Sequence, residues 1–427
     1  MVTLLFVACI ALLALGVPVA FALGGATLFA MASGNVPLVA LPKYLFSGID
    51  LFALEAVPFF ILAAELMTGG ELSNVLLRFA SQFVGRFRGG LGHTNILTIT
   101  FFSGISGSAL ADAAGPGAIM IRMMRDDGYE PSYAAALTAA TSILGPIIPP
   151  SISVIIYALA YPQVNLVGLL IAGVVPGILI AAAMAAINHV VSVRRDYRGS
   201  HERLSFRDYL RNTWRALPAL VLPVLILGGI ASGAFTPTEA SVVAVFYALF
   251  AGMVIYRTLR WRMLPGILAR SALMTASVLI IVGMSAAFAW VLTVSRVPQH
   301  LTEWIVAMQL SPLAFLFAVN VLLIAFGVFI EPLPGIVVLV PILAPIAHAL
   351  GIDDLQFGII VVVNLTMGMI TPPVGGLLFV TSIVAKVPLA RLVRELWPFL
   401  WAQLAVLVLL SLFPFLSAGL PNAFGYR

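Results

Sequence analysis

Two stretches constrain this chain more than any others: Ser142-Ile143-Leu144-Gly145-Pro146-Ile147-Ile148-Pro149-Pro150-Ser151 and Met367-Gly368-Met369-Ile370-Thr371-Pro372-Pro373-Val374. Each sets a glycine and a Pro-Pro pair inside an apolar run that would otherwise continue as one membrane helix. Proline lacks an amide hydrogen and its ring clashes with the preceding turn, so neither run stays helical through its motif. Lipid cannot satisfy the backbone groups that a break releases. Such backbone survives at membrane depth only where protein buries it or where it lines a wet cavity. A matched pair of breaks, one in each half of a chain, is the pattern that marks a transporter binding site.

The rest of the chain supports a membrane setting. Of 427 residues, 62% are hydrophobic and 9% charged, against about 25% charged in soluble domains, and the mean hydropathy is +1.11. Continuous apolar runs of about 20 residues suit spanning helices and exclude an outer-membrane barrel, whose strands alternate at period two. The single cysteine, Cys9, excludes an internal disulfide and a cysteine-rich metal site. No basic stretch precedes Leu4, so a cleaved signal peptide is not expected. The sequence therefore predicts an all-α polytopic membrane protein.

Polar and Gly/Pro interruptions predict about ten spans, at 2–15, 17–34, 53–69, 133–160, 166–191, 215–233, 238–256, 267–292, 355–385 and 396–417. Two further apolar stretches, 93–121 and 312–349, are broken by Ser103-Gly104-Ile105-Ser106-Gly107-Ser108 and Glu331-Pro332-Leu333-Pro334-Gly335, and read as re-entrant hairpins. With the N-terminus outside and each hairpin returning to its own side, nineteen basic residues fall inside and three (Lys43, Arg296, Arg427) outside, which accounts for all 22. Treating either hairpin as a simple span destroys that asymmetry. Both termini are then periplasmic, and the basic residues need no nucleic-acid partner to explain them.

An offset of 223 carries residues 104–150 onto 327–373 without a gap, with eight of 47 positions identical. The matches fall on backbone punctuation: Gly104 on Gly327, Gly128 on Gly351, Gly145 on Gly368, and Pro149-Pro150 on Pro372-Pro373. Residues 1–193 and 215–427 form the two repeats, and 194–214 a basic cytoplasmic linker, read as an amphipathic interfacial helix or as a purely topogenic loop. An odd number of spans per half inverts the second repeat relative to the first, an arrangement used by secondary transporters.

Where hairpin tips and broken helices converge, freed carbonyls and hydroxyls suit a hard monovalent cation, and half-helix N-termini suit an anion. The expected arrangement is one Na+ site per repeat with an anionic substrate between them. The cation set is Ser103, Gly104, Ser106, Gly145 and Ile148 in the first half and Gly327, Glu331, Asn364, Thr366, Met369 and Thr371 in the second. The substrate set is Ser108, Asp112, Arg125, Pro150, Ser151 and Pro373. Each has a bland alternative: small hydroxyls tie membrane helices together, Arg125 anchors topology, and Glu331 either binds a cation or caps a half-helix. Glu65 and Glu239 are read as structural. No HExxH or carboxylate–histidine spacing occurs, and an intramembrane protease would need paired groups where only Asp112 comes near, so no enzyme is expected.

The residues also resemble a known family. Phe102-Ser103-Gly104-Ile105-Ser106-Gly107-Ser108-Ala109-Leu110-Ala111-Asp112, Ala135–Ala140 running into Gly145–Ser151, Pro341-Ile342-Leu343-Ala344-Pro345, and Phe357–Ile360 through Asn364 to Gly375 are similar to motifs of the large membrane subunit of tripartite ATP-independent periplasmic (TRAP) transporters. Gly16-Val17-Pro18, Pro58-Phe59-Phe60 and Thr236–Ala240 extend the likeness over essentially the whole chain. The resemblance implies a Na+-coupled importer in a bacterial inner membrane, with an elevator-type mechanism. Its implied partners are a four-helix small membrane subunit, expected as a separate chain, and a periplasmic binding protein that delivers an organic acid such as a C4-dicarboxylate or sialic acid. Two departures stand out: Gly375-Gly376-Leu377-Leu378 lacks the polar residue that often follows the second break, and Ala109-Leu110 and Gly115-Pro116 alter the first hairpin. A one-component Na+-coupled dicarboxylate or citrate carrier of the same architecture is the alternative.

Overall fold

The computed structural model describes residues 2–34, 36–68, 72–199, 205–328, 330–372 and 375–426. Pro373, assigned above to the substrate set, lies outside them. The described secondary structure is helical throughout.

Six described segments are long and apolar enough to cross a membrane unaided: Leu166–Arg194, Phe206–Ala231, Pro237–Ile255, Trp261–Val294, Pro332–Ala349 and Leu389–Leu412. The other expected spans are shorter helices, including Val2–Ala14, Val19–Ser33 and Ala56–Thr68, or are cut by the two breaks. The residues set aside as connections hold three more helices, Ala40–Ile49, Leu72–Val84 and Val297–Ala307. The last expected span, 396–417, ends early at Leu412 and is followed by a further helix, Phe415–Ala423. Leu72–Val84 carries the stripe Leu72, Leu76, Leu77 and Ala80, all buried, which is the periodicity of a one-sided helix. The basic segment expected as a linker to 214 instead joins the following span. Phe206–Ala231 is one 26-residue helix, and its first turn is closed by a capping box in which Ser205 N–H donates to Asp208 Oδ2 at 3.2 Å.

The first hairpin is Gly90–Ser106, a tip at Gly107-Ser108, and a return through Ala109–Ala114 and Pro116–Asp126. Gly107 sits at φ +60, a left-handed turn, and a Cβ there would come within 2.9 Å of the Pro150 carbonyl oxygen. The tip therefore rests on the first break. The first broken helix is Pro131–Ser142 followed by Ile152–Ala160. The second hairpin has arms Pro312–Gly327 and Pro332–Ala349, and the second broken helix is Asp354–Gly368 followed by Gly376–Ala385. The offset of 223 carries Asp126 to Ala349 and Pro131 to Asp354, and Gly90 and Ile152 to within one residue of Pro312 and Gly376.

The half-helices that lead into both breaks are enclosed by protein, as lipid exclusion demands. Every residue from Ser132 to Ser142 is buried, as is every residue from Leu355 to Gly368. Each first half-helix tightens as it ends, with Gly145 N–H donating to Ser142 O and Thr371 N–H to Gly368 O. The second half-helices cross over: Ile152–Ala160 packs on Pro332–Ala349 of the second hairpin, and Gly376–Ala385 packs on Ala109–Ala114 of the first. Around this core, Val19–Ser33, Ala40–Ile49 and Ala56–Thr68 pack against Leu264–Val294, and Ala56–Thr68 also against Pro237–Phe250.

Candidate functional site between hairpins, breaks and outer helices

Both hairpin tips and both breaks meet at a cavity of about 450 Å³. The first hairpin contributes Gly107 to Ala111, the first break Pro146, Ile152 and Ser153, the second hairpin Glu331 to Leu333, and the second break Met369. The opposite wall is Ile61 and Glu65 of Ala56–Thr68 with Met274, Ser277, Val278 and Ile281 of Leu264–Val294. The cavity thus divides the broken-helix core from the outer helices.

Behind the first tip lies the most concentrated polar group. Asp112 is fully buried. Ser103 Oγ donates to its Oδ2 at 2.7 Å, and Ser106 Oγ donates to its Oδ1. A Cβ on Gly145 would sit 2.8 Å from Asp112 Oδ2 and 2.7 Å from the Ser108 carbonyl carbon, so only glycine lets the break approach this carboxylate. Among the described residues Asp112 has no arginine, lysine or histidine at ion-pair distance. A buried carboxylate beside two serine hydroxyls offers oxygen ligands of the kind a hard cation takes.

The second half is built differently. Asn364 Nδ2 donates to Asn320 Oδ1 and to the Ile360 carbonyl, each at 2.8 Å, and Asn320 Nδ2 donates to Ser411 Oγ at 3.0 Å. Asn364 Oδ1 is buried with no partner. An orphaned buried acceptor one turn before the break is a group that an ion or a water would satisfy. Thr366 donates to Val362 O within Asp354–Gly368, and Thr371, just past that helix, donates back to Met367 O, leaving hydroxyl lone pairs. Gly327 and Gly368 touch backbone to backbone, since a Cβ on Gly368 would lie 2.3 Å from the Gly327 carbonyl carbon.

The remaining site residues fall into place around these. Gly104 faces the Pro149 carbonyl and the Pro223 side chain. Ile148 is half-buried against Gly177, and Met369 lines the cavity. Ser108 lines the cavity and accepts from Ala111 N–H at 3.4 Å. Glu331 also lines it, is exposed, and makes no side-chain cap to the helix it precedes. Ser151 is buried, accepts from Val154 N–H at 3.2 Å and donates to the Pro146 carbonyl. It and buried Pro150 shape the break from behind the lining. Arg125 stands apart: it pairs with Asp126 at 3.1 Å near the end of Pro116–Asp126, about 25 Å along the hairpin from the tip. Glu65, which the sequence suggested was structural, faces the cavity and pairs with Arg270 Nε at 3.0 Å. The partners lie 205 residues apart, so no local pattern announces the pair.

Comparison with known proteins agrees with this geometry. Residues 6–416 match the family described as "Tripartite ATP-independent periplasmic transporter, DctM component". The sialic acid TRAP transporter large permease protein SiaM of Vibrio cholerae is 38% identical over 417 residues, 97% of each chain. The C4-dicarboxylate TRAP transporter large permease protein DctM of Pseudomonas aeruginosa is 39% identical, covering 94% of this chain and 93% of that one. The fold is shared with the Alcanivorax borkumensis YdaH transporter, at TM-score 0.64 and 15% identity over 88% of this chain and 87% of that one. The chain belongs to the DctM component, or large permease, family of tripartite ATP-independent periplasmic transporters.

Proposed function

We propose that this permease imports a small organic acid across a bacterial inner membrane, driven by Na+. The observation that carries the reading is the cavity of about 450 Å³ bounded by both hairpin tips, both breaks and the outer helices. That is where a carrier of this build holds its cargo. Sialic acid and C4-dicarboxylates, named for two relatives, are both carboxylates, which supports an organic acid here. The Asp112–Ser103–Ser106 cluster and the orphaned Asn364 Oδ1 support one Na+ site per repeat. The crossed packing of half-helices and hairpins supports their moving as one block against the outer helices, an elevator-type step. A separate four-helix small membrane subunit stiffens those outer helices, and a periplasmic binding protein delivers the acid. Both termini face the periplasm.

The test is uptake into proteoliposomes holding this chain with its small subunit, an inward Na+ gradient, and binding proteins charged with sialic acid or a C4-dicarboxylate. Accumulation is expected only with Na+, the small subunit and a charged binding protein together. Accumulation that persists in K+ alone defeats the coupling. Uptake by the purified chain without the other two components would instead favour a one-component carrier.

A further inference from the structure

A second polar pocket, of about 90 Å³, lies away from the cavity, between Leu72–Val84 and Phe206–Ala231. It is lined by Asn74, Val75 and Arg78 from the first helix and by Asn212 and Arg215 from the second. Asn74 and Arg78 are four residues apart and Asn212 and Arg215 three, so each helix turns one short polar face towards the other. Among the described residues neither arginine has a carboxylate at ion-pair distance, whereas Arg211, on the same helix, pairs with Asp208 at 2.9 Å. Both arginines are exposed, and the repulsion between two guanidinium groups around one small pocket is relieved when an anion sits between them.

The two helices that carry these side chains are tied together. Gln82 Nε2 donates to Thr213 Oγ1 at 3.1 Å, and Tyr209 OH donates to the Gln82 carbonyl at 2.9 Å, tying one helix to the other one turn along. Tyr256 OH donates to the Arg215 carbonyl at 2.8 Å and holds that backbone from a third element. Guanidinium forks and side-chain amides are the donors that suit a tetrahedral oxyanion. Arg215 also marks the boundary where the basic segment gives way to an apolar one, and its neighbours Trp214 and Leu217 are 65% and 43% exposed. Tryptophan beside arginine at such a boundary is the composition of a headgroup level.

We infer that Arg78, Arg215, Asn74 and Asn212 form a phosphate-binding pocket on the basic side of the membrane. The phosphate comes either from an anionic phospholipid headgroup or as the free ion. The pocket joins an interfacial helix to a spanning helix outside the transport cavity, so a bound headgroup would pin the outer helices in the bilayer.

The experiment uses the purified chain with its small subunit in nanodiscs of phosphatidylcholine, with or without phosphatidylglycerol. Retained lipid is read by native mass spectrometry and apparent melting temperature by intrinsic fluorescence. Each arginine is expected to contribute about fivefold to the preference for phosphatidylglycerol over phosphatidylcholine. Arg78→Gln and Arg215→Gln should each remove that share, and Arg78→Lys should keep most of it. Arg207→Gln, on an exposed arginine of the same helix, should remove none. If the Gln variants do not yield folded protein, Asn74→Ala and Asn212→Ala supply the same readout with the charge retained. Stabilisation by inorganic phosphate in pure phosphatidylcholine, lost in the same variants, assigns the pocket to the free ion. Equal phosphatidylglycerol and phosphate responses in all variants and the parent protein overturn the pocket.

Discussion

The two repeats of this permease copy each other's backbone and differ in their chemistry. The offset that carries Pro131 to Asp354 also carries Asp112 to Gly335, Ser103 to Phe326, Ser106 to Phe329 and Thr141 to Asn364. The first repeat concentrates a carboxylate and two serines behind its hairpin tip. Its counterpart has no carboxylate at the equivalent place, and relies on an amide chain from Asn364 through Asn320 to Ser411. Glycine follows the backbone rule instead, with Gly145 opposite the first tip and Gly368 against Gly327 in the second. The break geometry is what both halves need, because it decides where carbonyls and half-helix termini point. A second buried carboxylate near the same cavity would carry its own desolvation cost with no partner.

The largest effect should come from testing the shared geometry. In Gly368→Ala the new methyl falls 2.3 Å from the Gly327 carbonyl carbon and 2.6 Å from its oxygen, and neither atom can turn aside. A loss of about 3 kcal/mol or more is expected, read as a lower apparent melting temperature or failure to purify a monodisperse protein. Gly104→Ala, at the position equivalent to Gly327, meets the Pro223 side chain at 3.3 Å and the Pro149 carbonyl oxygen at 3.6 Å, and should cost less than about 1 kcal/mol. Equal losses in Gly104→Ala and in Gly327→Ala, whose methyl would fall 3.0 Å from the Leu365 carbonyl oxygen, would show that the repeats pack alike and would break the comparison.

Next in size is the charge asymmetry. Asp112→Asn keeps the shape of the side chain and removes its charge. Losing one member of a buried charge pair costs about 2 kcal/mol or more, so the half-saturating Na+ for uptake should rise about thirtyfold or more. Unchanged Na+ dependence would remove Asp112 from the cation site.

How much of this was legible in the sequence follows from how local each cause is. The breaks and hairpins were readable because proline and glycine act on their own backbone, and the 223-residue offset repeats that punctuation. Ser103, Ser106 and Asp112 lie within nine residues on one tip, but sequence alone assigns the serines to the cation and Asp112 to the substrate, and only the folded hairpin shows both serines bonded to that carboxylate. The Asn320–Asn364 bond spans 44 residues and the Asn320–Ser411 bond 91, so only the folded chain brings them together. Arg125 looked like an anion contact because it follows the hairpin motif closely in sequence. A hairpin's closing end points away from its tip, and there Arg125 pairs with Asp126. The basic stretch before Ala216 reads in sequence as a separate linker, an interfacial helix or a topogenic loop, yet Arg207, Arg211 and Arg215 lie on the spanning helix itself, since long arginine stems reach water from a helix end.

The second repeat's own chemistry sets the third expectation. Asn364→Ala removes two donated hydrogen bonds and the orphaned Oδ1, leaving Asn320 Oδ1 without its donor. A stability loss of about 1–3 kcal/mol is expected. The half-saturating Na+ should rise several-fold, less than for Asp112→Asn because no net charge is lost. A larger Na+ effect from Asn364→Ala than from Asp112→Asn would reverse the ranking of the two sites.

The smallest effect should come where the repeats differ at matching tip positions. Glu331 is the counterpart of Ser108 at the offset of 223, and both line the cavity. Ser108 caps its helix, whereas the Glu331 side chain does not. Glu331→Ser therefore makes the tips alike and offers the second helix a better cap, so stability should hold or rise by a few tenths of a kcal/mol to about 1 kcal/mol. The exposed carboxylate acts on an ion in the cavity through water, which limits its effect on half-saturating Na+ to about twofold. A shift as large as that of Asp112→Asn would mean that the second repeat carries a charge of its own at the cation. The asymmetry would then lie in where each tip places its carboxylate rather than in which tip has one.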